Sequence, residues 1–196
     1  MNFVTIACET LQYAEESACS IGLVKYQGGK EVDFYYSLIR PPDSYLYLRT
    51  GFPSLLSRPD FTDILGFTVE DLKNAPHFTD IWDISIKPFI GDLPLAVHGA
   101  FLGTFELWYL LELYELPIPH LPLFCTLVLA RRVWPELESH SRSDLAEKLG
   151  IVYNIHNALD AAKTCGKLVL MAADKFGSAS LAELLLKTKV EMGWLT

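Results

Sequence analysis

Asn2-Phe3-Val4-Thr5-Ile6-Ala7-Cys8-Glu9-Thr10 is the stretch whose reading decides the fold. Phe3, Val4 and Ile6 are aromatic or β-branched, and neither Gly nor Pro interrupts them. Short apolar runs of this kind form strands buried on both faces in the middle of a sheet. Charge enters only near the end, at Glu9. A carboxylate at the carboxyl end of a central strand stands where open α/β sheets place their ligands.

The surrounding chain fits such a sheet. Ala18 to Tyr26 and Glu31 to Ile39 read as two further strands joined by Gln27-Gly28-Gly29-Lys30, a hairpin turn in which glycine supplies the positive φ. Leu95 to His98 and Leu123 to Thr126 read as short buried strands. Helices are expected from Thr68, a good cap followed by Glu70 and Asp71, and across Phe78 to Ile90, where Phe78, Ile81, Trp82 and Ile86 share a face. Others are expected from about Leu102 to Leu116, around Arg131 and Arg132, from Ser141 to Leu149 before Gly150, from Asn157 to Phe176 before Gly177, and from Leu181 to Leu186. The Leu102–Leu116 helix is apolar nearly all round, which predicts enclosure on most sides. Pro42 to Leu65, with Tyr45, Tyr47 and Phe52, reads as a long surface loop suited to binding. Three antiparallel strands followed by alternating helix and strand describe an α/β domain with a mixed five-stranded sheet flanked by helices.

The totals narrow the function classes. A chain of 196 residues with 51% hydrophobic and 20% charged residues is an ordinary globular composition, most simply one domain. The formal charge of −8 argues against holding nucleic acid by bulk attraction. Cys8, Cys19, Cys125 and Cys165 show no C-x-x-C spacing and read as buried free thiols. No secretory leader is recognised, and the apolar segment from Leu93 to Leu111 is broken by Pro94, His98, two glycines and Glu106. The expectation is a cytoplasmic protein without a membrane partner.

Three stretches together carry a resemblance. Ile6-Ala7-Cys8-Glu9-Thr10, the V-H-G-A-F-L-G segment at 97 to 103 and I-H-N-A-L-D-A-A at 155 to 162 resemble, in order, the three motifs of the DEDDh-class 3′–5′ exonucleases. A-C-S-I-G-L-V at 18 to 24, L-I-R-P-P at 38 to 42, C-T-L-V-L-A-R at 125 to 131 and H-S-R-S-D-L-A-E-K-L-G-I at 140 to 151 support it. The resemblance implies a ribonuclease H-like exonuclease domain over residues 1–177, with 178–196 as a helical extension packed on it. It implies Mg²⁺ or Mn²⁺ as the family's cofactor, His156 as general base, Glu9 as metal ligand, and Thr10, His98 and Ala100 as nucleic-acid contacts. His98 also reads as a hydrogen-bonded structural histidine.

The motifs depart from the family at their acids. The family reads D-x-E-T, H-N-A-x-F-D and H-x-x-x-x-D; here Ala7, Gly103 and Ala161 stand at the aspartate positions. Two-metal hydrolysis needs hard oxygen ligands, and Glu9 alone remains. Asp160 neighbours Ala161 but is turned about 100° away on a helix. Glu106 lies three residues past Gly103. Arg142 occupies a position where an apolar residue is common in the family. The leading expectation is a nuclease homologue that binds a single-stranded DNA or RNA 3′ end, or a partner protein, without cutting and without tightly bound metal. Two others stay open: an active exonuclease with a rearranged metal site, and a non-catalytic interaction module, with a homodimer as one form of it, using the 44–67 loop.

Overall fold

The structure is a computed structural model and describes residues 1–11, 17–46, 61–99 and 106–196. Its centre is β1 (Phe3–Thr10), flanked on one side by β2 (Ala18–Gln27) and β3 (Lys30–Leu38), and on the other by β4 (Leu95–Val97), β5 (Leu121–Cys125) and β6 (Gly193–Leu195). The order β3-β2-β1-β4-β5-β6 makes the sheet six-stranded, not five. The extra strand is the C-terminal Gly193-Trp194-Leu195, paired antiparallel with Leu121–Leu123. Three residues are too few to show a period of two, so pattern alone did not reveal it. β1, β4 and β5 run parallel, while β1–β2 and β2–β3 are antiparallel.

Alternation along β1 assigns its side chains to two layers. Phe3 and Ala7 join Val24, Tyr26, Ala96 and Phe124 in one cluster, covered by α7 (Thr126–Val133), α8 (Arg142–Leu149), α9 (Ala158–Lys175) and α10 (Leu181–Thr188). Val4, Ile6 and Cys8 join Ile21, Leu23, Leu95 and Val97 in a second cluster. The second face is closed by α4 (Phe78–Ile81), a π-helical turn at Trp82–Ile86, α5 (Lys87–Ile90) and α6 (Glu106–Leu113). Pro88 has no N–H to offer the carbonyl four residues back, and the helix passes through it with a widened turn directly before. A small third cluster links Leu11 and Cys19 with α1 (Asp43–Leu46), α2 (Phe61–Leu65) and α3 (Val69–Asn74). The expected 42–65 loop therefore begins and ends in short helices; its middle, with Tyr47 and Phe52, lies outside the described residues.

α9 sits unusually close to the sheet. A Cβ on Gly22 would fall 2.5 Å from the Ala158 backbone, and one on Gly166 would fall 2.2 Å from the Tyr26 ring. Ala7 is the cross-strand partner of Gly22, so α9's first turns lie directly over the carboxyl half of β1. The caps agree with the expectations: the Thr68 hydroxyl and the Asp71 carboxylate form a capping box, Ser141 and Asn157 cap α8 and α9, and Gly150 ends α8 in the left-handed region. α6 is less enclosed than expected: Leu107, Leu110 and Leu111 are buried, but Glu112 and Leu113 face solvent. Among the described residues, no helix is long and apolar enough to cross a membrane.

Candidate functional site

The parallel strands β1, β4 and β5 end on the same edge of the sheet, and their last residues build the site. Alternation sends Glu9, like Ala7, toward α9. The β1–β2 register slips between Glu9 and Thr10, which leaves the half-buried Thr10 paired with Ala18. His156 stands one residue before the Asn157 cap of α9, with φ of 68°. Left-handed backbone in a residue other than glycine carries strain and recurs at functional sites. Its Nδ1 lies 3.6 Å from Oε2 of Glu9, an ion-pair distance rather than a hydrogen bond. Glu9 is 12% exposed and His156 42%. Burial raises the Glu9 pKa above the usual carboxylate value, and the charges of Arg142 and His156 oppose that rise.

Arg142, the first residue of α8, is the unexpected member. Burial works against its cation, yet Cys165, Tyr153, Glu106 and Glu9 around it hold it firmly charged. Its charge bears on the Tyr153 hydroxyl and the Cys165 thiol and opposes the upward push that burial gives both. Burial pushes the Cys8, Cys19 and Cys165 thiols upward, so none of the three is poised as a thiolate nucleophile. His98 ends β4 with both nitrogens engaged: Nδ1 is 2.9 Å from Thr126 Oγ1 and Nε2 3.0 Å from the His140 carbonyl. Burial first, and then Arg142, lower its pKa to about 4.

The other expected site residues divide clearly. Ala7 and Ala161 are 4% and 0% exposed and belong to the same apolar cluster. Ala100 and Gly103 lie outside the described residues. Asp160 gives its backbone N–H to the Asn157 side chain, as part of the cap. Glu106 opens α6 close enough to act on the charges of Cys8, Glu9 and Arg142. Arg131 borders a cavity with Arg142, whereas Arg132 faces a different one. No motif marks Tyr153 or Cys165 as partners of Arg142, because only the folding of the 150–157 segment and α9 against α8 brings them together.

A match to the exonuclease family model spans residues 8–169. The chain belongs to the exonuclease family. The DEDDh-class reading of its motifs agrees with this. The chain is 29% identical over 192 residues to the PolC-type DNA polymerase III of Thermotoga maritima, and 28% over 166 residues to the 3′-5′ exonuclease DinG of Staphylococcus saprophyticus. These matches cover 93% and 82% of this chain but only 13% and 17% of those proteins. Among solved structures, exonuclease X in complex with 5′ overhanging duplex DNA matches with a TM-score of 0.60 and 20% identity, over 95% of this chain and 99% of that one. Cell-death related nuclease 4 matches with a TM-score of 0.67 and 10% identity, over 100% and 81%.

Members of the exonuclease family use divalent metal ions. Hard cations need several oxygen ligands. Among the described residues, no three His, Cys, Asp or Glu side chains are grouped to hold a metal ion. Ala7 and Ala161, at two of the family's aspartate positions, are apolar and buried in one cluster, and the charges that bear on Glu9 include the Arg142 cation. The described residues do not fit a metal pair.

Proposed function

We propose that this chain is a non-hydrolytic member of the exonuclease family that holds the 3′ end of a nucleic-acid strand at the Glu9–His156 edge. The observation that carries this reading is the burial of Ala7 and Ala161, at two of the family's aspartate positions, in one apolar cluster. Phosphodiester hydrolysis by the family's chemistry needs two ions, one activating water and one stabilising the leaving oxygen. His156 can take a proton, but a base without activated water and without a charge clamp leaves the barrier nearly intact. Loss of one member of such a catalytic unit commonly costs orders of magnitude in rate.

Binding has separate support. A groove of about 580 Å³ is lined by Phe34, Tyr36, Phe67, Asn154 and His156, and Phe34 and Tyr36 are 56% and 39% exposed. Exposed rings beside a strand-end pocket suit stacking of unpaired bases. Related folds include an exonuclease in complex with duplex DNA and one that recognises a histone mRNA stem-loop.

The test is to incubate 5′-labelled single-stranded DNA and RNA with the protein and Mg²⁺ or Mn²⁺. Retention without shortening is expected; a 3′ ladder that Glu9→Gln abolishes would overturn the reading. One observation favours a second reading. Glu106 lies within electrostatic range of Glu9, so the two carboxylates are the candidate ligands of a rearranged, active site. That reading predicts trimming that Glu106→Gln also removes.

A further inference from the structure

A cavity of about 540 Å³ opens at the carboxyl edge of β4, lined by His98, Leu127, Arg131, Glu138, the 139–141 segment and Arg142. Its shape is fixed by hydrogen bonds that do not involve the arginines. His98 Nε2 ties the His140 carbonyl to the end of β4, and His140 Nε2 lies 2.9 Å from the Trp134 carbonyl. The Ser139 and Ser141 hydroxyls both donate to Asp144, two residues after Arg142. The two histidines, both serines and Asp144 are therefore committed to protein partners. Arg131 and Arg142 are the cationic groups on the wall, and Glu138, which is exposed, is the remaining acid there.

Arg142 belongs to two places at once. It borders this cavity and also reaches Tyr153, Cys165 and the field of Glu9. Tyr153, in the segment between α8 and α9, and Cys165, in α9, are the groups on which its charge bears away from the cavity lining. A guanidinium offers five donors in a planar fork that matches two phosphate oxygens, so it can spare N–H groups for an anion while keeping its protein contacts.

We propose that the cavity between Arg131 and Arg142 is a phosphate site, in which two guanidinium groups hold without divalent ions the kind of group that the family grips with metal. This rests on the non-hydrolytic reading above and gives it a mechanism: Arg142 is the built-in cation of a site whose metal ligands are missing. The ligand is a phosphate group, carried by a nucleic-acid end or present as a free nucleotide or phosphate.

The experiment is fluorescence anisotropy of a labelled oligonucleotide, in EDTA and in Mg²⁺, with the intact chain and with Arg142→Met, Arg142→Lys and Arg131→Met. The two conditions should give the same affinity for the wild type. Arg142→Met and Arg131→Met should each weaken binding by about tenfold, one charge-assisted contact apiece, with Arg142→Lys between wild type and Met. Arg131 is exposed, so its variant keeps the test valid if Arg142→Met fails to fold. Competition distinguishes the sources. Displacement by inorganic phosphate marks a free-phosphate site, displacement that needs a nucleoside monophosphate marks a nucleic-acid end, and both support a guanidinium site. Displacement by neither, dependence on Mg²⁺, absence of binding, or indifference to both arginine variants would overturn it. Trimming of the oligonucleotide would instead sink the non-hydrolytic reading, so the two failures are told apart.

Discussion

His98 and Thr126 meet at the end of β4: Nδ1 of the ring lies 2.9 Å from the Thr126 Oγ1, which also lies 3.1 Å from the Val97 carbonyl. The opposite nitrogen faces the His140 carbonyl, which only accepts, so in the neutral ring Nε2 carries the hydrogen and Nδ1 is an acceptor that shares the one Thr126 hydroxyl hydrogen with the Val97 carbonyl. The neutral tautomer thus fastens β4 to both α7 and the segment that leads into α8. Arg142 and Arg131 stand near enough to disfavour a second proton.

A pH dependence follows. The folded pKa of His98, about 4, lies below the usual value of 6.5, so the unfolded chain binds the proton more readily. The contribution to stability is complete above pH 6.5 and is lost as pH falls toward 4. It amounts to at most about 3 kcal/mol, from the size of the shift. Urea titrations at pH 7.5 and 4.5 should show this loss, and His98→Gln should flatten the difference.

Glu9 has the opposite sign. Burial raises its folded pKa above 4.5, so its charged form is disfavoured by folding. Its contribution is favourable at low pH and is lost as pH rises through the raised value. Glu9→Gln should therefore match wild-type stability near pH 4 and exceed it at pH 8, as read from thermal melts at both values. Arg142→Met, by removing the largest opposing charge, should widen that gap.

The contact of α9 with the sheet makes two predictions of opposite sense. Gly22→Ala would place a methyl 2.5 Å from the Ala158 backbone and should destabilise the fold by about 3 kcal/mol or more. The Tyr26 hydroxyl is buried without a hydrogen-bond partner among the described residues. Tyr26→Phe keeps the ring stacked on Phe3 at 4.7 Å and removes the orphaned hydroxyl, so it should stabilise by about 1 kcal/mol. Chemical denaturation of both variants measures the two shifts together.

The local features of this fold were legible because they are written in neighbouring residues. The Thr68-to-Asp71 capping box, the Gly28-Gly29 turn and the Gly150 stop each lie within a few positions, and the structure has all three. β6 escaped because its three residues pair with a strand some seventy positions earlier and have no pattern of their own. The site was half legible. Glu9 and His156 follow from motif spacing, and the structure brings them within 3.6 Å. The company of Arg142 does not follow from spacing, since Tyr153, Cys165 and Glu106 reach it from a loop and two different helices.

Among the described residues, the carboxyl edge of β1 has no group of three acidic, histidine or cysteine ligands for a metal ion and has Arg142 acting on Glu9. Crystals soaked in Mn²⁺ test this most directly through anomalous scattering at the Glu9–His156 pocket. The prediction is no anomalous peak within coordination distance of Glu9, at Mn²⁺ concentrations that saturate ordinary members of the family. Two ordered ions bridged by Glu9 and Glu106 would contradict it.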